Sequence, residues 1–374
     1  MKREIKHYNI DNLVSKNADI NILFGERSNG KSYQVKHKRG VCRYLDSVKE
    51  KIEGLIQQER RFILLRRFRE EITSTGIEQY FQDVDVDRLT NGKYDCIIQY
   101  RKQIYLAKFD VENMKAIRGE KIGYAMALST EQNFAGGSFL DVTDIIFEEF
   151  MTRSRYLVDE PTKLMNLYAT VDRKRGTTKL WLVGNSISRV CPYIYEWGLH
   201  EIISKQKQGT IEEKIIDSTG GDKVKLAIEF CESTGVSSHT IGWSKEMMSD
   251  GSWQSSPQPH LPKSYKCYNV CYRFIFQFQS FRFISEFLQD KKEKDKTCWF
   301  IYPMDDKKEI KKNTLVISDK VDINPYWQRN IYDITIKNEN LKNLLLTFRE
   351  DKIFYCNDLV GTDFKQVIDF SIRR

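Results

Sequence analysis

Short apolar runs between long charged segments set the pattern of the first two hundred residues. Asp19–Phe24 predicts a buried strand that leads into a glycine-containing loop. From Ser32 to about Arg60, apolar residues recur at helical spacing without proline, which predicts a helix. Arg61–Arg67 predicts a second strand. This βαβ order places a ligand at the carboxyl end of the first strand.

Further apolar segments extend the pattern toward residue 199. Asp95–Tyr100 and Gln103–Ala107 predict a β-hairpin that turns at Arg101-Lys102. Three more segments predict strands, namely Tyr124–Leu128, Asp144–Phe147 and Lys179–Asn185. Apolar strands between polar helices favour an α/β domain, with helices on both faces of a mostly parallel sheet. We predict this domain over residues 1–199.

The composition changes after Leu199. Residues 200–264 are rich in Ser, Gly, Lys and Glu and include the breaker cluster Ser255–Pro262, so we predict a linker region there. Beyond it, aromatic segments and a helix over Glu339–Phe348 predict a smaller α+β or RNase-H-like domain over residues 265–374. The β-prone segments are Arg273–Phe278, Phe281–Ile284, Trp299–Tyr302, Thr314–Ile317 and Lys352–Cys356.

Composition narrows the class of protein. With 40% hydrophobic and 30% charged residues, the 374-residue chain is typical of a globular protein. Its net charge of +8 is compatible with a polyanionic partner. The chain has no apolar run long enough for a membrane span, and its first residues do not resemble a secretory signal. The scattered cysteines favour a reducing compartment, and we predict that Cys267 and Cys271 are buried thiols, not zinc ligands.

The loop after the first predicted strand carries the strongest chemical signal. Its sequence, GERSNGKS, fits the phosphate-binding pattern G-x4-G-K-[ST]. Backbone N–H groups at the start of a helix are expected to close around the phosphates of ATP. Lys31 is expected to reach the β- and γ-phosphates, and Ser32 to supply a hydroxyl to Mg²⁺. The predicted nucleotide-binding residues are Gly25, Glu26, Arg27, Ser28, Asn29, Gly30, Lys31 and Ser32.

Two acids end the predicted strand Asp144–Phe147. Glu148 is the candidate for the acid on the Mg²⁺ side, and Glu149 for the group that polarises the attacking water. Adjacent acids alone also occur in solvated loops. Their position downstream of the phosphate-binding loop is what makes them candidates.

Basic and amide side chains complete the candidate site. Arg27 and Arg173, the latter within Arg173–Arg175, are candidates for neutralising charge on the transferred phosphoryl group. The alternative for Arg173–Arg175 is a solvated surface loop. Asn185 closes a predicted strand and either contacts the γ-phosphate or only shapes a turn.

Together these motifs resemble the DNA-packaging (encapsidation) ATPases of small tailed phages that replicate by protein priming, which are compact relatives of the terminase large subunit. The similarity covers roughly residues 15 to 200, and the rest only by layout. The segments that carry it are Phe24–Tyr33, Leu65–Phe68, Leu128-Ser129, Ile145–Phe150, Leu164–Leu167, Thr170-Val171, Arg173, Gly184–Ser186 and Cys191–Tyr193.

The resemblance implies an ASCE-type P-loop ATPase core, a linker, and a C-terminal nuclease-like domain that has lost catalysis. It implies that Glu149 is the catalytic glutamate and that Arg173 is donated to the ATP of a neighbouring subunit. It also implies a homo-oligomeric ring, usually of five subunits, on the portal of a procapsid. Because the family usually has Asp where this chain has Glu148, the roles of Glu148 and Glu149 remain open. Participation of an RNA scaffold is also left open.

The function expected from these features is an ATP-hydrolysing motor that moves double-stranded viral DNA into a procapsid. Such a protein would act in the host cytoplasm, transiently on the procapsid, and would be absent from the mature virion. We expect Arg66, Arg67 and Arg69 to contact the DNA backbone. The alternatives are a small-molecule P-loop kinase and a nucleotide-regulated nucleic-acid-binding protein without motor activity.

Overall fold

The structure of the protein, a computed structural model, contains a nine-stranded sheet. The described residues are 8–152, 155–217, 221–233, 253, 255–278, 281–305, 309–311, 314–318, 326–328, 339, 342–343, 346–347, 350 and 352–372. The strands of this sheet are β1 Ile20–Phe24, β2 Arg61–Arg66, β3 Cys96–Tyr100, β4 Gln103–Asp110, β5 Lys115–Ala127, β6 Val142–Glu148, β7 Lys179–Val183, β8 Thr210–Asp217 and β9 Lys223–Phe230.

The strand order is β3-β4-β5-β2-β6-β7-β1-β9-β8. From β5 to β9 in that order, all neighbouring strands are parallel. The outer pairs β3-β4, β4-β5 and β9-β8 are antiparallel. The predicted mixed α/β class with a mostly parallel sheet is confirmed, and so is the hairpin. Arg101 and Lys102 both adopt left-handed backbone angles at its turn.

The helices lie between these strands and beyond them. The α-helices are α1 Asp11–Ser15, α2 Lys31–Gln34, α3 Arg43–Ile52, α4 Ser74–Phe81, α5 Val86–Leu89, α6 Glu160–Asp172, α7 Pro192–Glu196, α8 His200–Lys205 and α9 Asp358–Ile372. A π-helical segment, Val35–Cys42, joins α2 to α3. Short 3₁₀ helices span Arg69–Glu71, Leu128–Phe134 and Tyr265–Cys267.

Strand β1 lies in the interior of the sheet, and every residue in it is buried. It pairs with β7 on one side and β9 on the other, so both of its faces and both of its edges are covered. An apolar run of this kind suits a strand inside a parallel sheet. The loop that follows β1 therefore starts from a fixed point.

The helical stretch after the loop is shorter than the sequence predicts. We expected it to reach about Arg60, but it ends at Ile52. Gly54 adopts a left-handed φ of 78°, which suits a glycine just past a helix end. Ile52 and Leu55 are exposed, so the apolar spacing at this end does not mark a buried face.

The predicted linker over residues 200–264 is wrong in its first half. Strands β8 and β9 lie there, and β9 pairs with β1 inside the nine-stranded sheet. Strand β8 is an edge strand without a buried residue, and it carries several charged side chains, so it resembles a polar linker in composition. The chain divides instead into one compact unit of Met1–Ile187 with Glu201–Ser252, and a second of Ser188–His200 with Trp253–Arg374.

The second unit contains a six-stranded sheet. Its strands are β10 Tyr268–Phe278, β11 Phe281–Asp290, β12 Thr297–Pro303, β13 Leu315–Ser318, β14 Trp327–Gln328 and β15 Ile353–Tyr355. The order is β14-β13-β10-β11-β12-β15, in which β10, β11 and β12 form an antiparallel meander. Strand β13 is parallel to β10 and to β14, and β15 is parallel to β12. The predicted helix over 339–348 lies largely outside the described residues.

Aromatic packing builds the core of this unit. The Phe364 ring of α9 contacts Phe276 of β10 and Phe283 of β11, with ring centroids 5.0 and 5.4 Å apart. The prediction that Cys267 and Cys271 are buried is wrong, since both are exposed, free thiols. Cys267 ends the 3₁₀ helix directly before β10, and Cys271 lies in the first half of β10, where the strand is not yet covered by the core. No helix among the described residues has the length and apolarity needed to cross a membrane.

Candidate nucleotide-binding site

The loop Gly25–Ser32 joins β1 to α2, and its backbone conformation restricts which residue types fit at some of its positions. Gly30, directly before α2, has a left-handed φ of 99°, and Ser28 has a φ of 66°. A Cβ atom on Gly25 would lie 3.1 Å from the carbonyl oxygen of Cys231 in the segment that follows β9. Glycine is therefore favoured at Gly25, where a Cβ atom would crowd Cys231, and at Gly30 by its φ. A loop of this kind before a helix is suited to binding anions.

Lys31 is buried inside this loop. Its ammonium donates hydrogen bonds to the carbonyl oxygen of Glu26 and, at 3.0 Å, to Oδ1 of Asn29. Burial lowers the pKa of Lys31, while the nearby acids Cys231, Glu148 and Glu26 act in the opposite direction. Among the described residues, Nδ2 of Asn29 is buried without a hydrogen-bond partner. A buried cation and an unpaired donor in one loop fit a polyanionic ligand such as a triphosphate.

Glu148, the last residue of β6, is held by two hydroxyl groups. Ser32 Oγ donates to its Oε2 at 2.9 Å, and the Tyr80 hydroxyl donates to its Oε1 at 2.7 Å. Burial raises the pKa of Glu148, and these two hydrogen bonds oppose that shift. The serine hydroxyl and the carboxylate meet next to the phosphate-binding loop. This pair fits Mg²⁺, which proteins hold through few side chains together with nucleotide phosphates.

Glu149 differs from Glu148 in every respect. It has a left-handed φ of 57°, and 63% of its side chain is exposed. Its Oε2 lies 3.1 Å from a guanidinium nitrogen of Arg66, which also pairs with Glu71 at 3.2 Å. The change in backbone conformation after β6 turns the second acid away from the core. Only Glu149 therefore presents its carboxylate to solvent at the mouth of the site.

Six of the predicted loop residues and both acids line one cavity of about 360 Å³, whereas Gly25 and Glu26 are buried and are not among its lining residues. Asn185 lies on its far wall, after β7, and the amide of Ser186 donates to the carbonyl of Gly25 at 2.9 Å. Arg27 is exposed at the cavity rim. The predicted residues that line the cavity are Arg27, Ser28, Asn29, Gly30, Lys31, Ser32, Glu148, Glu149 and Asn185.

Six residues of this cavity region were not predicted as site residues. Val183, which ends β7, and the following Gly184 line the cavity. Tyr33, Lys36 and Asp83 line it, and Tyr80 supports Glu148 from behind. Tyr33 and Lys36 directly follow the motif on the same helical stretch and could have been found from it. Tyr80 belongs to α4, which carries no recognisable pattern, so no sequence signal points to it.

Arg173 lies away from this cavity. It follows α6 with a φ of 48°, is exposed, and donates to the carbonyl oxygen of Gly137 at 2.6 Å. It is not among the described residues that line the cavity. Arg175 instead donates to the carbonyls of Val142 and Val171 at 3.1 and 2.9 Å, which is a structural role. Of the predicted arginine cluster, Arg173 is thus exposed at the surface while Arg175 is tied to the fold.

The predicted DNA contacts need correction at two of three positions. Arg67 is 4% exposed and donates through Nε to both carboxylate oxygens of Glu160, at 3.0 and 2.9 Å. Arg66 is committed to Glu71 and Glu149. The reason is that Arg66 ends β2 and Arg67 follows it, so both lie beside the end of the neighbouring strand β6, where the acids are. Arg69 is exposed, and no ion pair among the described residues involves it.

Comparison with known proteins gives the same assignment for the first half of the chain. The model of the podovirus DNA encapsidation protein (Gp16) family matches residues 1–220. A DNA packaging protein of Bacillus phage B103 is 28% identical over 198 residues, which is 52% of this chain and 52% of that protein. The DNA packaging protein of Bacillus phage phi29 is 26% identical over 202 residues, 53% of this chain and 52% of that protein. The chain therefore matches about half the length of these relatives.

Solved structures extend the similarity of fold beyond that half. A chain of the bacteriophage phi29 viral genome packaging motor assembly has a TM-score of 0.53 and 19% identity, covering 96% of this chain and 99% of that chain. The N-terminal domain of the phi29 DNA packaging ATPase has a TM-score of 0.43 and 23% identity, covering 60% of this chain and 95% of that chain. The family resemblance predicted from the sequence is confirmed.

Proposed function

The chain belongs to the podovirus DNA encapsidation protein (Gp16) family, and we propose that it is an ATP-hydrolysing motor that moves double-stranded DNA into a viral procapsid. One observation carries the proposal. Glu148 is buried against Ser32 of the phosphate-binding loop, while the adjacent Glu149 is exposed at the mouth of the same cavity. Two neighbouring acids in such different surroundings are suited to two different tasks.

Each side chain then has a role. The loop Gly25–Ser32 would bind the triphosphate, with Lys31 neutralising its charge. Ser32 and Glu148 would hold Mg²⁺, which, when bound, neutralises charge on the phosphates. Glu149 would orient the attacking water and accept its proton. Asn185, at the end of the neighbouring β7, would contact the γ-phosphate.

The order of the strands supports the finer assignment of the first unit. Strand β7 separates β1, which precedes the loop, from β6, which carries the acids. A strand inserted between these two is the layout of ASCE-type P-loop ATPases, and we assign the first unit to that class. In the second unit, an antiparallel meander flanked by parallel strands supports an RNase-H-like fold.

We propose that the second unit does not cleave DNA. At the ends of the parallel pair β10 and β13, Gln277 lies opposite Ser318, where a two-metal nuclease needs carboxylates. Among the described residues, no three His, Cys, Asp or Glu side chains form a group that could hold a metal ion. Incubation of plasmid DNA with the protein and Mn²⁺ should leave the plasmid intact. Mn²⁺-dependent nicking that survives Lys31→Ala would contradict this assignment.

Three exposed basic side chains are the proposed DNA contacts, namely Arg69, which is kept from the sequence prediction, and Lys102 and Arg101, which replace Arg66 and Arg67. Arg69 and Lys102 line a common cavity of about 180 Å³ at the surface. Arg101, also exposed, occupies the same hairpin turn as Lys102. The described residues include no ion-pair partner for any of the three. Uncompensated basic groups of this kind suit a phosphate backbone and read no sequence.

The exposed position of Arg173 supports its donation to the ATP of a neighbouring subunit. The family resemblance implies that these subunits form a ring of five. We propose that the ring docks on the portal of a procapsid in the host cytoplasm and leaves before the virion matures. An RNA scaffold is not part of the proposal. Mass measurement of the protein with DNA and a non-hydrolysable ATP analogue gives the number of subunits directly.

A single set of assays tests the motor against its alternatives. Double-stranded DNA should stimulate ATP turnover, and no small-molecule acceptor should become phosphorylated. Lys31→Ala should abolish ATP binding and packaging of DNA into procapsids, measured as DNA protected from nuclease. Glu149→Gln should bind ATP normally and hydrolyse it very slowly. Full packaging by Lys31→Ala would reject the motor and favour a nucleic-acid-binding protein without motor activity.

A further inference from the structure

The Glu148 carboxylate is fixed from two sides by different parts of the chain. Ser32 Oγ, from α2, donates to Oε2 at 2.9 Å. The Tyr80 hydroxyl, from α4, donates to Oε1 at 2.7 Å. The serine belongs to the phosphate-binding motif, whereas the tyrosine belongs to a helix with no motif. Tyr80 therefore has a place beside Glu148 but no role yet in the proposed mechanism.

Tyr80 is itself held firmly in place. Its ring meets that of Phe81 edge-on, with centroids 4.9 Å apart. The Lys36 ammonium lies 4.5 Å from the centre of the Tyr80 ring and also donates to the Tyr80 carbonyl oxygen. Lys36 in turn pairs with Asp83. The Tyr80 ring is held at its face, at its edge and through its backbone. A hydroxyl on a ring held in this way can restrict the orientation of a neighbouring carboxylate.

A glutamate at this position depends on such a restriction more than an aspartate would. Its side chain has one more rotatable bond, so more rotamers must be excluded before its carboxylate stays beside Ser32. It is also buried, with 5% exposure, so each carboxylate oxygen requires a donor. Tyr80 satisfies both requirements at Oε1 and leaves Oε2 facing the serine hydroxyl.

We infer that Tyr80 is a positioning residue that holds Glu148 in the orientation in which it and Ser32 can bind Mg²⁺ with the nucleotide. The inference rests on the proposed function in one respect, that the ligand of this cavity is Mg²⁺ with ATP. Tyr80 is not among the residues that line the cavity proposed to hold them. Its effect passes through the carboxylate that it orients, as is usual for groups that support metal ligands.

The test is Tyr80→Phe, which removes only the hydroxyl and keeps the ring. Binding of a fluorescent ATP analogue is titrated with Mg²⁺, and separately measured in EDTA. The Mg²⁺ concentration for half-maximal enhancement of binding should rise about tenfold, in line with the loss of a hydrogen bond to a charged group. Binding in EDTA should be unchanged, because Lys31 and the loop are untouched.

Two further variants separate positioning from packing. Tyr44→Phe is the matched control, since the hydroxyl of this buried tyrosine also donates to a glutamate, Glu120, at 3.2 Å, and neither residue is among those that line the cavity. It should leave the Mg²⁺ titration unchanged. Glu148→Asp shortens the carboxylate, so Tyr80→Phe in that background should add little to the Mg²⁺ requirement. A full tenfold addition in both backgrounds would show independent effects and overturn the inference.

Binding assays keep this inference separate from the motor proposal. An unchanged Mg²⁺ titration in Tyr80→Phe would overturn the role of Tyr80 even if DNA-stimulated hydrolysis is found. An equal loss of binding with and without Mg²⁺ would also overturn it, because that result indicates a damaged loop. A rise in the Mg²⁺ requirement without DNA-stimulated hydrolysis would support Tyr80 and reject only the motor. All titrations are run below the unfolding temperature of each variant, measured beforehand.

Discussion

The guanidinium of Arg66 and the carboxylate of Glu149 lie 3.1 Å apart, at the carboxyl ends of the neighbouring parallel strands β2 and β6. Arg66 is also held by Glu71 at 3.2 Å, in the 3₁₀ turn that begins with Arg69. This ion pair holds the Glu149 carboxylate away from other partners. The pair therefore connects the proposed catalytic acid with the turn that carries a proposed DNA contact.

Arg66→Gln should release Glu149 from this ion pair. We expect ATP hydrolysis without DNA to rise a few-fold and stimulation by DNA to shrink, with ATP affinity unchanged. Steady-state hydrolysis across a range of DNA concentrations measures both effects. A fall in hydrolysis together with weaker ATP binding would instead assign Arg66 to the phosphates. Glu71→Gln is the matched control, because it leaves the Arg66–Glu149 contact in place.

Arg67→Ala should destabilise the first unit without specific effect on DNA. It removes the partner of the fully buried Glu160, and breaking a buried ion pair on one side costs about 3–5 kcal/mol. The free energy of unfolding in denaturant measures this loss. An Arg67→Ala protein of parent stability would mean that Glu160 finds another donor.

Arg69→Ala and Lys102→Ala should show the opposite behaviour. Both side chains are exposed, so stability should stay within about 0.5 kcal/mol of the parent. DNA affinity should fall, and the slope of log affinity against log salt should decrease by about one for each lost phosphate contact. Fluorescence anisotropy with duplex DNA at several salt concentrations measures the slope. An unchanged slope in both variants would remove this surface from the DNA path.

Arg173→Ala should lose ATP hydrolysis while still binding ATP. Mixing it with Lys31→Ala subunits, each inactive alone, should restore part of the activity. The reason is that some interfaces then combine an intact Lys31 with an intact Arg173 from the neighbour. Lys174→Ala, the adjacent exposed residue, is the control and should hydrolyse ATP like the parent. Mixtures that stay inactive at every ratio would place Arg173 outside the neighbour's site.

Asp172 is expected to govern the acid stability of the segment that carries Arg173. Burial of its carboxylate acts to raise the pKa, but backbone N–H groups of Gly176, Thr178 and Thr177 outweigh burial and lower it. A carboxylate whose pKa is lowered by folding stabilises the folded state at pH values above its ordinary pKa. That contribution is lost as the pH falls through the lowered pKa. Asp172→Ala should cost about 1–3 kcal/mol at neutral pH.

Unfolding experiments from pH 7 downward test this. The difference between the parent and Asp172→Ala should be constant above about pH 4 and shrink below it. Asp159→Ala, an exposed acid just before α6, provides the comparison and should show no such trend. A difference that persists in full at the lowest pH would mean that the charge of Asp172 is not what stabilises the loop.

Local sequence determines the phosphate-binding loop and much less of its surroundings. Strand β1, the glycines and Lys31 are adjacent in the chain, so motif and burial pattern predict them together. Arg67 and Arg69 are equally basic and two residues apart, yet one is buried against Glu160 and the other exposed. That difference depends on where α6 packs, which no local pattern records.

Long-range pairing explains the other differences. Tyr80 donates to Glu148, which lies 68 positions later in the chain, and the local sequence around either residue does not indicate the other. Strand β9 lies in a region whose polar composition is shared by linkers and by edge strands, and only its pairing with β1 decides between them. The acids after β6, by contrast, were predictable because a strand end places them where parallel strands meet the ligand.

The pairing of β1 with β9 has a consequence for protein synthesis. Phe24 accepts a hydrogen bond from the amide of Cys231, and Gly25 packs against the same residue. At about 5–20 residues per second, a ribosome needs roughly 10–40 seconds to travel from one to the other. During that interval the nascent phosphate-binding loop lacks one of its walls. A chain released early, for example at residue 199, would hold every signature residue but would lack this wall of the loop.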